Sequence, residues 1–354
     1  MTDQNEQVGS RSNPWLQNAW YQAAWMHELD ATGSLVRTIL DIPVLFYRTS
    51  SGSVAAVHDR CPHRFAPLSA GRIENDAAVC GYHGLGFDSG GACVLNPHGP
   101  VTSAMRVRSF PVVMRHLALW IWMGDPQMAD PAKIPDLSFI DDTPATARIF
   151  AFMPTAANYR LLTDNIMDLS HVDYLHPTTL GGAMLQAKTK SREEDGRIIA
   201  EWLTVNCDAP EAYQALVPSP GKADIWTQVT WSAPAVMVLA TSAIPTGNMR
   251  GSMDEFLTVH SITPETATKS HYFVCSTRPV MTESVEFTEM LRAALRTAFE
   301  DEDKPMLEKQ QARMGTDDLW SLDPILLPID AAAVRTRRKL DQLMDLEQRS
   351  PQEA

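Results

Sequence analysis

The sequence has no long apolar run and few cysteines for its length. Its apolar runs stay far below the roughly 18 residues that a membrane-spanning helix needs, and residues 117–123 are among the longest. Among the five cysteines of the 354 residues, Cys93, Cys207 and Cys275 are an odd number without the spacing of a disulfide framework, so we expect them to be reduced. The first residues are polar and acidic, unlike a signal peptide. These features predict a cytoplasmic protein without a membrane partner.

Basic residues are also scarce. The chain has 30 Lys and Arg against 43 Asp and Glu, which gives a formal net charge of −13. This balance argues against nucleic acid and anionic membranes as partners. Glycine-rich fingerprints of nicotinamide or flavin binding are absent as well. The 44% hydrophobic composition is globular, and the length is sufficient for two domains with a sizeable core.

Two short motifs combine cysteine with histidine. One residue separates Cys61 from His63 and two separate Cys80 from His83, and residues 64–79 lie between the motifs. Two thiolates and two imidazoles bind either zinc or a two-iron cluster. Zinc fingers usually place a cysteine pair before a histidine pair, whereas here each motif supplies one of each. This order favours a Rieske [2Fe–2S] centre over a structural zinc site, and the double spacing argues against chance pairs.

A second group of ligand-type residues follows about ninety residues later in a segment of helical pattern. Asp168 and His171 are three residues apart and share a helix face, and His176 lies just before Pro177. Two histidines and a carboxylate form the facial triad of Fe(II) sites that activate O2. A histidine pair on a helix is more often structural or solvated. A Rieske cluster in the same chain strengthens the metal interpretation, because its electrons need a destination.

An acidic run late in the chain offers further carboxylates. Residues 300–303 read Glu-Asp-Glu-Asp within a predicted helix that starts with Thr282 as N-cap and extends to about residue 311. At ~100° per residue, Glu302 and Asp303 fall near the apolar stripe of the helix, whereas Asp301 falls on the solvated face. The stripe consists of Leu291, Leu295, Phe299 and Met306. Helix geometry does not choose between Glu302 and Asp303.

The chain divides into regions of different composition. Residues 15–125 contain short β-rich runs and predict an all-β domain that presents the two Cys/His turns. Three prolines mark a linker at 126–148 after a loose tail at 1–14. Residues 149–348 predict an α+β domain, with helices at about 159–174 and 331–347 around an antiparallel sheet from about 197 to 276.

The sequence resembles the Rieske non-haem iron oxygenases, in particular the aromatic O-demethylases of the vanillate and dicamba type. The resemblance extends from about residue 18 to 331 and includes the stretches 61–69 (CPHRFAPLS) and 82–85 (YHGL). It implies an N-terminal Rieske domain and a helix-grip-like catalytic domain. It also implies that Cys61, His63, Cys80 and His83 bind the [2Fe–2S] cluster.

The resemblance implies roles for further residues. His171 and His176 match the family's iron ligands, and Asp303 aligns with its iron-binding carboxylate, with Glu302 as the second choice. Asp168 is implied as a bridging carboxylate that accepts hydrogen bonds from His171 of its own chain and from His83 of the next subunit in a homotrimer. His260 matches a substrate-binding histidine, although a strand histidine bonded to a backbone carbonyl is an equal alternative. Asn165 is either near the iron or on the helix surface.

The function that these expectations imply is that of a terminal oxygenase. A separate reductase or ferredoxin, ultimately using NAD(P)H, would supply electrons through the cluster to the mononuclear Fe(II), with O2 as co-substrate. Hydroxylation of the methyl group of a methoxylated aromatic acid would give a phenol and formaldehyde. N-demethylation or aryl-methyl hydroxylation by the same sites is the alternative. A Rieske electron carrier is a weaker one, because a carrier needs only the first domain.

Overall fold

The computed structural model describes residues 14–209, 217, 222–246 and 255–349. The predicted tail at 1–14 lies outside this part of the chain except for its last residue. Among the helices in the described ranges, none is both long and apolar enough to span a membrane. The predicted α+β class is confirmed, with small antiparallel sheets followed by one large antiparallel sheet and its helices.

The N-terminal half forms three small antiparallel sheets, with strand orders β2-β3-β4, β1-β10-β9 and β5-β6-β7-β8. Their short strands alternate with tight turns, as the β-rich runs predict. The strands are β1 Trp20–Trp25, β2 Ser34–Ile39, β3 Ile42–Arg48, β4 Val54–His58, β5 Arg72–Glu74, β6 Ala77–Val79, β7 Gly86–Phe87, β8 Cys93–Leu95, β9 Val112–Arg115 and β10 Ala118–Trp122. A short helix, α1 (Met26–Thr32), follows β1, and α2 (Ser138–Asp142) lies in the predicted linker.

The C-terminal half is built on a seven-stranded antiparallel sheet of order β11-β17-β16-β15-β14-β13-β12. Alternating residues on these strands place one set of side chains toward the helices and the other toward the first half of the molecule. The strands are β11 Arg148–Thr155, β12 Lys188–Glu194, β13 Arg197–Asp208, β14 Lys222–Ser232, β15 Val236–Pro245, β16 Phe256–Thr266 and β17 Lys269–Thr277.

Tryptophans join the two halves into one core. The four indoles of β1 and β10 are buried against the outer face of the large sheet, where they meet Val259 and Phe273. They are Trp20, Trp25, Trp120 and Trp122. The Trp25 indole N–H also donates to the carbonyl of Ala151 on β11, 2.9 Å away. Large aromatic side chains bury the most apolar area per residue, so this contact fixes how the two halves are arranged.

The helices cover the inner face of the large sheet, and two of them depart from the expected shape. They are α3 Tyr159–Met167, α4 Val172–Leu175, α5 Val285–Arg296, α6 Lys304–Met314 and α7 Ala331–Arg349. The predicted helix at 159–174 is interrupted, because Asp168 adopts an extended conformation (φ −132°, ψ 99°) before the 3-10 turn Leu169–His171. Asp168 and His171 therefore do not share one continuous helix face.

The long helix at the end of the sheet begins later than predicted and contains a wider turn. Its N-cap is Ser284 rather than Thr282, because the Ser284 hydroxyl accepts from the backbone N–H of Phe287. Between α5 and α6, residues Thr297–Asp303 form a π-helix. Single π turns inside α-helices are rare and concentrate at functional sites.

Candidate metal centres and substrate cavity

The two Cys/His motifs lie on two turns of similar backbone conformation. The N–H of Cys61 donates to the carbonyl of Ala66 at 2.9 Å, and the N–H of Cys80 donates to that of Leu85 at 2.8 Å. Each turn closes with a residue at positive φ, Phe65 at 61° and Gly84 at 75°. The sequence spacings of the two motifs differ, but the chain builds the same loop twice, which brings Cys61 next to Cys80 and His63 next to His83.

The turns approach each other through glycine. A Cβ atom on Gly71 would lie only 1.9 Å from the carbonyl oxygen of Val79, and one on Gly81 would lie 2.8 Å from that of Ala70. The first turn is also anchored by Asp59, whose carboxylate accepts from both the N–H and the hydroxyl of Ser69. The separation of the two ligand loops is therefore set by backbone contact.

The four ligand-type side chains divide into a buried pair and a surface pair. Cys61 and Cys80 are each 2% exposed, whereas His63 is exposed and His83 half-buried, with 4.5 Å between the imidazole centroids. Burial raises the pKa of the Cys61 thiol, and the adjacent Cys80 thiol raises it further. Two inner sulfur donors and two outer imidazoles fit a Rieske cluster, in which two Cys hold one iron and two His hold the other.

A second ligand group meets on the inner face of the large sheet. The Nε2 atoms of His171 and His176 lie 3.5 and 3.2 Å from Oδ1 of Asp303. His176 is fully buried, and its Nε2 atom has no well-formed hydrogen bond within the described chain. Ligand atoms of all three side chains lie within 4.8 Å of one another. Two histidines and one carboxylate on one side of a point match the donor set of a mononuclear Fe(II) site.

The opposite ring nitrogens are held by acceptors. The Nδ1–H of His171 donates to the carbonyl of Asp168 at 2.7 Å, and that of His176 donates to the carboxylate of Glu302 at 2.6 Å. Such partners fix the ring orientation and direct Nε2 toward the metal position. Burial alone lowers the pKa of His176, but the Asp303 and Glu302 carboxylates outweigh it and raise the pKa above its usual value.

Asn165 lies beside the site rather than on the helix surface. Its amide Nδ2 donates to Oδ1 of Asp303 at 3.0 Å and lies 3.3 Å from Nε2 of His171. A hydrogen bond from an amide N–H to a carboxylate oxygen restricts rotation of the carboxylate group. The described geometry thus brings together His171, His176, Asp303, Glu302 and Asn165.

The π-helix explains why two adjacent acids both face His176. On an ordinary α-helix, neighbours point ~100° apart. In the π-helix the carboxylate of Asp303 approaches Nε2 of His176 and that of Glu302 approaches Nδ1 of the same ring. Leu291, Leu295, Phe299 and Asp303 line the cavity at a spacing of four. The expectation that Met306 belongs to this stripe is wrong, because its side chain is 51% exposed.

The carboxylate of Asp168 is not in the expected place relative to His171. It accepts from the N–H of Ser170 at 2.9 Å and so caps the 3-10 turn, while the Asp168 backbone carbonyl makes the contact with His171. The expectation of a carboxylate bond to His171 in the same chain is therefore wrong. Extended Asp residues commonly cap the turn that follows them, which accounts for the difference.

A mostly apolar cavity of about 110 Å³ adjoins the histidines and Asp303. Each of the strands β14 to β17 contributes one hydroxyl to its wall, and these are joined in pairs by one hydrogen bond each, Thr227 with Thr241 and Thr258 with Ser276. His260 also lines it, and its Nδ1 lies 2.6 Å from the Tyr272 hydroxyl. Burial lowers the pKa of His260 to about 4.

The alternative of a backbone carbonyl as the His260 partner is wrong. The sequence did not single out Tyr272 or the four hydroxyl residues.

A second depression lies on the outer side of His171 and includes Asp168. Its rim carries exposed apolar side chains, with Ile325 88% exposed, and Leu326 and Met306 about half exposed. Phe65 and Tyr82, which lie in the two Cys/His turns, are exposed apolar side chains as well. Exposed apolar side chains grouped beside a site are a feature of interaction surfaces.

Comparison with known proteins gives two family matches. Residues 19–111 match the Rieske [2Fe-2S] domain, and residues 155–346 match the vanillate O-demethylase oxygenase C-terminal domain. The oxygenase component of dicamba O-demethylase from Stenotrophomonas maltophilia is 38% identical over 340 residues, which cover 94% of this chain and 98% of that protein. The vanillate O-demethylase oxygenase subunit of Pseudomonas sp. (strain ATCC 19151) is 35% identical, covering 86% of this chain and 94% of the relative.

Solved structures agree with these matches. The crystal structure of dicamba monooxygenase bound to dicamba superposes with a TM-score of 0.85 at 36% identity and covers 94% of this chain and 98% of that one. A structure of the same enzyme with non-heme iron and dicamba is similarly related, at 35% identity and a TM-score of 0.77, again over 94% and 98% of the two chains. The predicted Rieske cluster and mononuclear iron are thereby confirmed as the cofactors of this type of protein. The chain belongs to the vanillate O-demethylase oxygenase family of Rieske non-haem iron oxygenases and is a terminal oxygenase component.

Proposed function

We propose that this oxygenase removes the methyl group of a methoxylated aromatic compound. The observation that carries the proposal is the placement of His171, His176 and Asp303 at the wall of a mostly apolar cavity, in a chain with a Rieske domain. Relatives named for dicamba and vanillate O-demethylation support it. N-dealkylation or aryl-methyl hydroxylation is the second candidate, since relatives named chloroacetanilide N-alkylformylase and toluene-4-sulfonate monooxygenase are 35% and 36% identical.

In this proposal Cys61, His63, Cys80 and His83 hold the cluster in the domain of residues 15–125. His171, His176 and Asp303 hold the mononuclear iron in the domain of residues 149–348, and residues 126–148 connect the two. When bound, the cluster stores one electron at a time and the iron activates O2. The chemistry is thus supplied by the cofactors, and the chain supplies geometry and shielding.

The residues around the iron ligands keep the site in one arrangement. Glu302 and the Asp168 carbonyl hold the two imidazoles, and Asn165 holds the Asp303 carboxylate. Apolar cavity walls, including Leu239, Leu295 and Phe299, place an aromatic ring and exclude water from the reacting methyl group.

The overall reaction balances with two electrons. The methoxyarene, O2, two electrons and two protons give a hydroxymethyl ether and water. The bond between the ether oxygen and the hydroxymethyl carbon then breaks, and the hydroxyl proton passes to the ether oxygen, so that formaldehyde leaves and the phenol remains. The electrons come from a separate reductase or ferredoxin that takes them from NAD(P)H. The three cysteines outside the cluster motifs, Cys93, Cys207 and Cys275, form no disulfide in the structure, which supports a reducing, cytoplasmic compartment.

We also propose a head-to-tail homotrimer. Its support is a pair of surfaces that differ from each other: Phe65 and Tyr82 beside the cluster ligands, and the depression around Asp168 with Ile325 on its rim. Two different surfaces that fit together give a heterologous contact, which closes into a ring when the rotation allows. The Asp168 carboxylate, bonded only to the Ser170 amide within the described chain, would then accept from His83 of the neighbour.

The test of the proposed reaction is a screen of methoxylated aromatics with a surrogate reductase. For a substrate, formaldehyde and the phenol should form in equal amounts, and both should depend on O2 and on the mononuclear iron. Formation of a hydroxylated methylarene without formaldehyde would favour the second candidate instead.

A further inference from the structure

The chain between His176 and β12 forms a loop that builds one wall of the cavity. Leu180 and Met184 of this loop, residues 177–187, line the cavity together with the proposed iron ligands. Met184 is buried, whereas Leu180 is half-buried and packs against the main hydrophobic core. The position of the loop therefore sets part of the space that a ligand beside the metal site can occupy.

Polar side chains fix the second half of the loop to its surroundings. The Asp173 carboxylate accepts from the backbone N–H groups of Gly182 and Leu185, each at 2.6 Å. It also accepts from the N–H of Ala183, whose carbonyl accepts from the hydroxyl of Thr204 on β13. This half of the loop is thus held by residues outside the proposed metal site.

The first half of the loop is held by His176 itself. The backbone carbonyl of His176 accepts from the N–H groups of Thr179, Leu180 and Gly181, at 3.2, 3.2 and 2.8 Å. In the described part of the chain, the hydrogen bonds of residues 177–181 lead only to His176 and Glu302. The part of the wall that carries Leu180 is therefore tied to an iron-ligand residue and to the acid that orients it.

A single carboxylate oxygen joins the loop to the imidazole. The Thr179 hydroxyl donates to Oε2 of Glu302 at 3.1 Å, and the same oxygen accepts from the Nδ1–H of His176 at 2.6 Å. His176 is fully buried, and the Glu302 side chain is 21% exposed. Hydrogen bonds to a carboxylate are stronger than those between neutral groups, so two donors fix the position of this oxygen. A displacement of Thr179 therefore also disturbs the acceptor that directs the imidazole toward the metal position.

We propose that Thr179 is a positioning residue that couples the cavity wall to the mononuclear metal site through Glu302. The hydroxyl holds the carboxylate, and the carboxylate holds the His176 ring. With a metal at Nε2 the ring cannot turn, so the loop is held with it. Cavity occupancy and metal binding should then favour each other by the same factor, because a coupling free energy is reciprocal. The inference rests on the proposed function, which supplies the ligand class, aryl methyl ethers.

The experiment measures this coupling with an aryl methyl ether that carries no strong metal-binding group. 4-Fluoroanisole is titrated by fluorine NMR into enzyme that retains its cluster, with the mononuclear site either emptied by chelation or filled with diamagnetic Zn²⁺. Zn²⁺ affinity is measured in turn by chelator competition, with and without 4-fluoroanisole. For the wild type, we expect Zn²⁺ to tighten 4-fluoroanisole binding at least about fivefold, and 4-fluoroanisole to tighten Zn²⁺ binding by the same factor.

Variants of the loop separate a positioning role from a structural one. Thr179→Val keeps the shape of the side chain but removes the hydroxyl, so we expect the coupling factor to fall at least about threefold. Thr179→Ser restores a hydroxyl and should restore the wild-type factor. Thr178→Val is the matched control, because the neighbouring Thr178 is exposed, and it should keep the wild-type factor. Adding Thr179→Val to Glu302→Ala should change nothing further, since the carboxylate that makes the link is already absent.

Absence of 4-fluoroanisole binding or of coupling in the wild type would overturn the inference. So would an unchanged factor in Thr179→Val, or equal losses in Thr179→Val and Thr178→Val. Coupling in the wild type without formaldehyde from any methoxyarene would overturn the proposed demethylation and leave the inference intact. Formaldehyde release by an enzyme that binds 4-fluoroanisole and Zn²⁺ independently would do the reverse.

Discussion

At the residue scale, the site is determined by which atom of each side chain faces which partner. His171 and His176 are both held at Nδ1, one by a backbone carbonyl and one by a carboxylate, and both direct Nε2 toward Asp303. Glu302 and Asp303 are therefore not interchangeable, although they are adjacent acids. Asp303 contributes an oxygen to the ligand group, and Glu302 orients a ligand from behind.

Removal of these two acids should have different effects on bound iron. We expect Asp303→Ala to reduce iron from about three to about two atoms per chain and to leave the Rieske spectrum unchanged. Glu302→Gln should still bind three at saturation, with affinity for the mononuclear iron about 10- to 100-fold weaker. Iron analysis after dialysis against graded chelator measures both. Retention of all three iron atoms in Asp303→Ala, together with loss of the mononuclear iron in Glu302→Gln, would make Glu302 the ligand and Asp303 the orienting acid.

The buried imidazole of His260 should make stability depend on pH. Its folded pKa is about 4, below the usual 6.5, so the unfolded chain binds a proton that the folded chain does not. Stability is then complete above about pH 6.5 and falls as the pH is lowered toward about 4, by an amount on the order of 3 kcal/mol. Denaturant unfolding of wild type and His260→Gln across this range measures it. Equal pH slopes for both proteins would contradict the assignment.

At the element scale, the π-helix Thr297–Asp303 contributes most directly to the geometry of the proposed iron site. It allows the carboxylates of neighbouring acids to reach the two nitrogens of one imidazole. The break at Asp168 has a related effect, because the 3-10 turn after it brings the Asp168 carbonyl to His171. Both irregularities replace a regular helix at the point where a ligand is positioned.

Deletion of one exposed residue should convert the π turn to an α turn. Asp301 is exposed, and its deletion would turn Glu302 and Asp303 by ~100° about the helix axis relative to the residues that precede them. We expect this variant to fold, to keep its cluster and to lose the mononuclear iron. Asp301→Ala keeps the chain length and should keep all iron, so it is the matched control. Retention of iron in the deletion variant would show that the wider turn is dispensable.

These irregularities also mark the limit of the sequence analysis. Cys61, His63, Cys80 and His83 have diagnostic spacing, and the structure places them on paired turns. Helix periodicity did not separate Glu302 from Asp303, because an assumed period of 3.6 residues gives wrong directions inside a π turn; the resemblance alone favoured Asp303. The capping role of the Asp168 carboxylate was missed because the helix was assumed to continue. Tyr272 was missed because strand register, which makes it a neighbour of His260, is set by tertiary packing.

At the scale of the whole molecule, the proposed reaction requires the two metal centres to exchange electrons. The cluster ligands His63 and His83 lie at the surface, and so does the depression around Asp168 behind His171. Exposed apolar side chains flank both places. A contact between one surface and the other on a second copy would bury them and join the two centres through Asp168.

A charge on the rim of the depression should therefore break the assembly. Ile325→Asp places a carboxylate on an aliphatic side chain that is 88% exposed, so the folded subunit should tolerate it. We expect light scattering to show a monomer where the wild type is a trimer, with three iron atoms per chain retained and demethylation reduced at least about 100-fold. Val285→Asp, at an exposed valine that does not line the depression, should remain trimeric. A fully active Ile325→Asp monomer would argue against transfer between subunits.

The most direct test of the account is a single turnover of enzyme with a prereduced cluster and bound methoxyarene. On exposure to O2, the wild type should form formaldehyde and reoxidise its cluster in equal amounts. Asp168→Asn keeps the oxygen that caps the Ser170 amide but removes the charge, and we expect it to keep both metal centres yet leave the cluster reduced. Wild-type cluster oxidation without formaldehyde, or normal reoxidation in Asp168→Asn, would contradict the coupling of the two centres through Asp168.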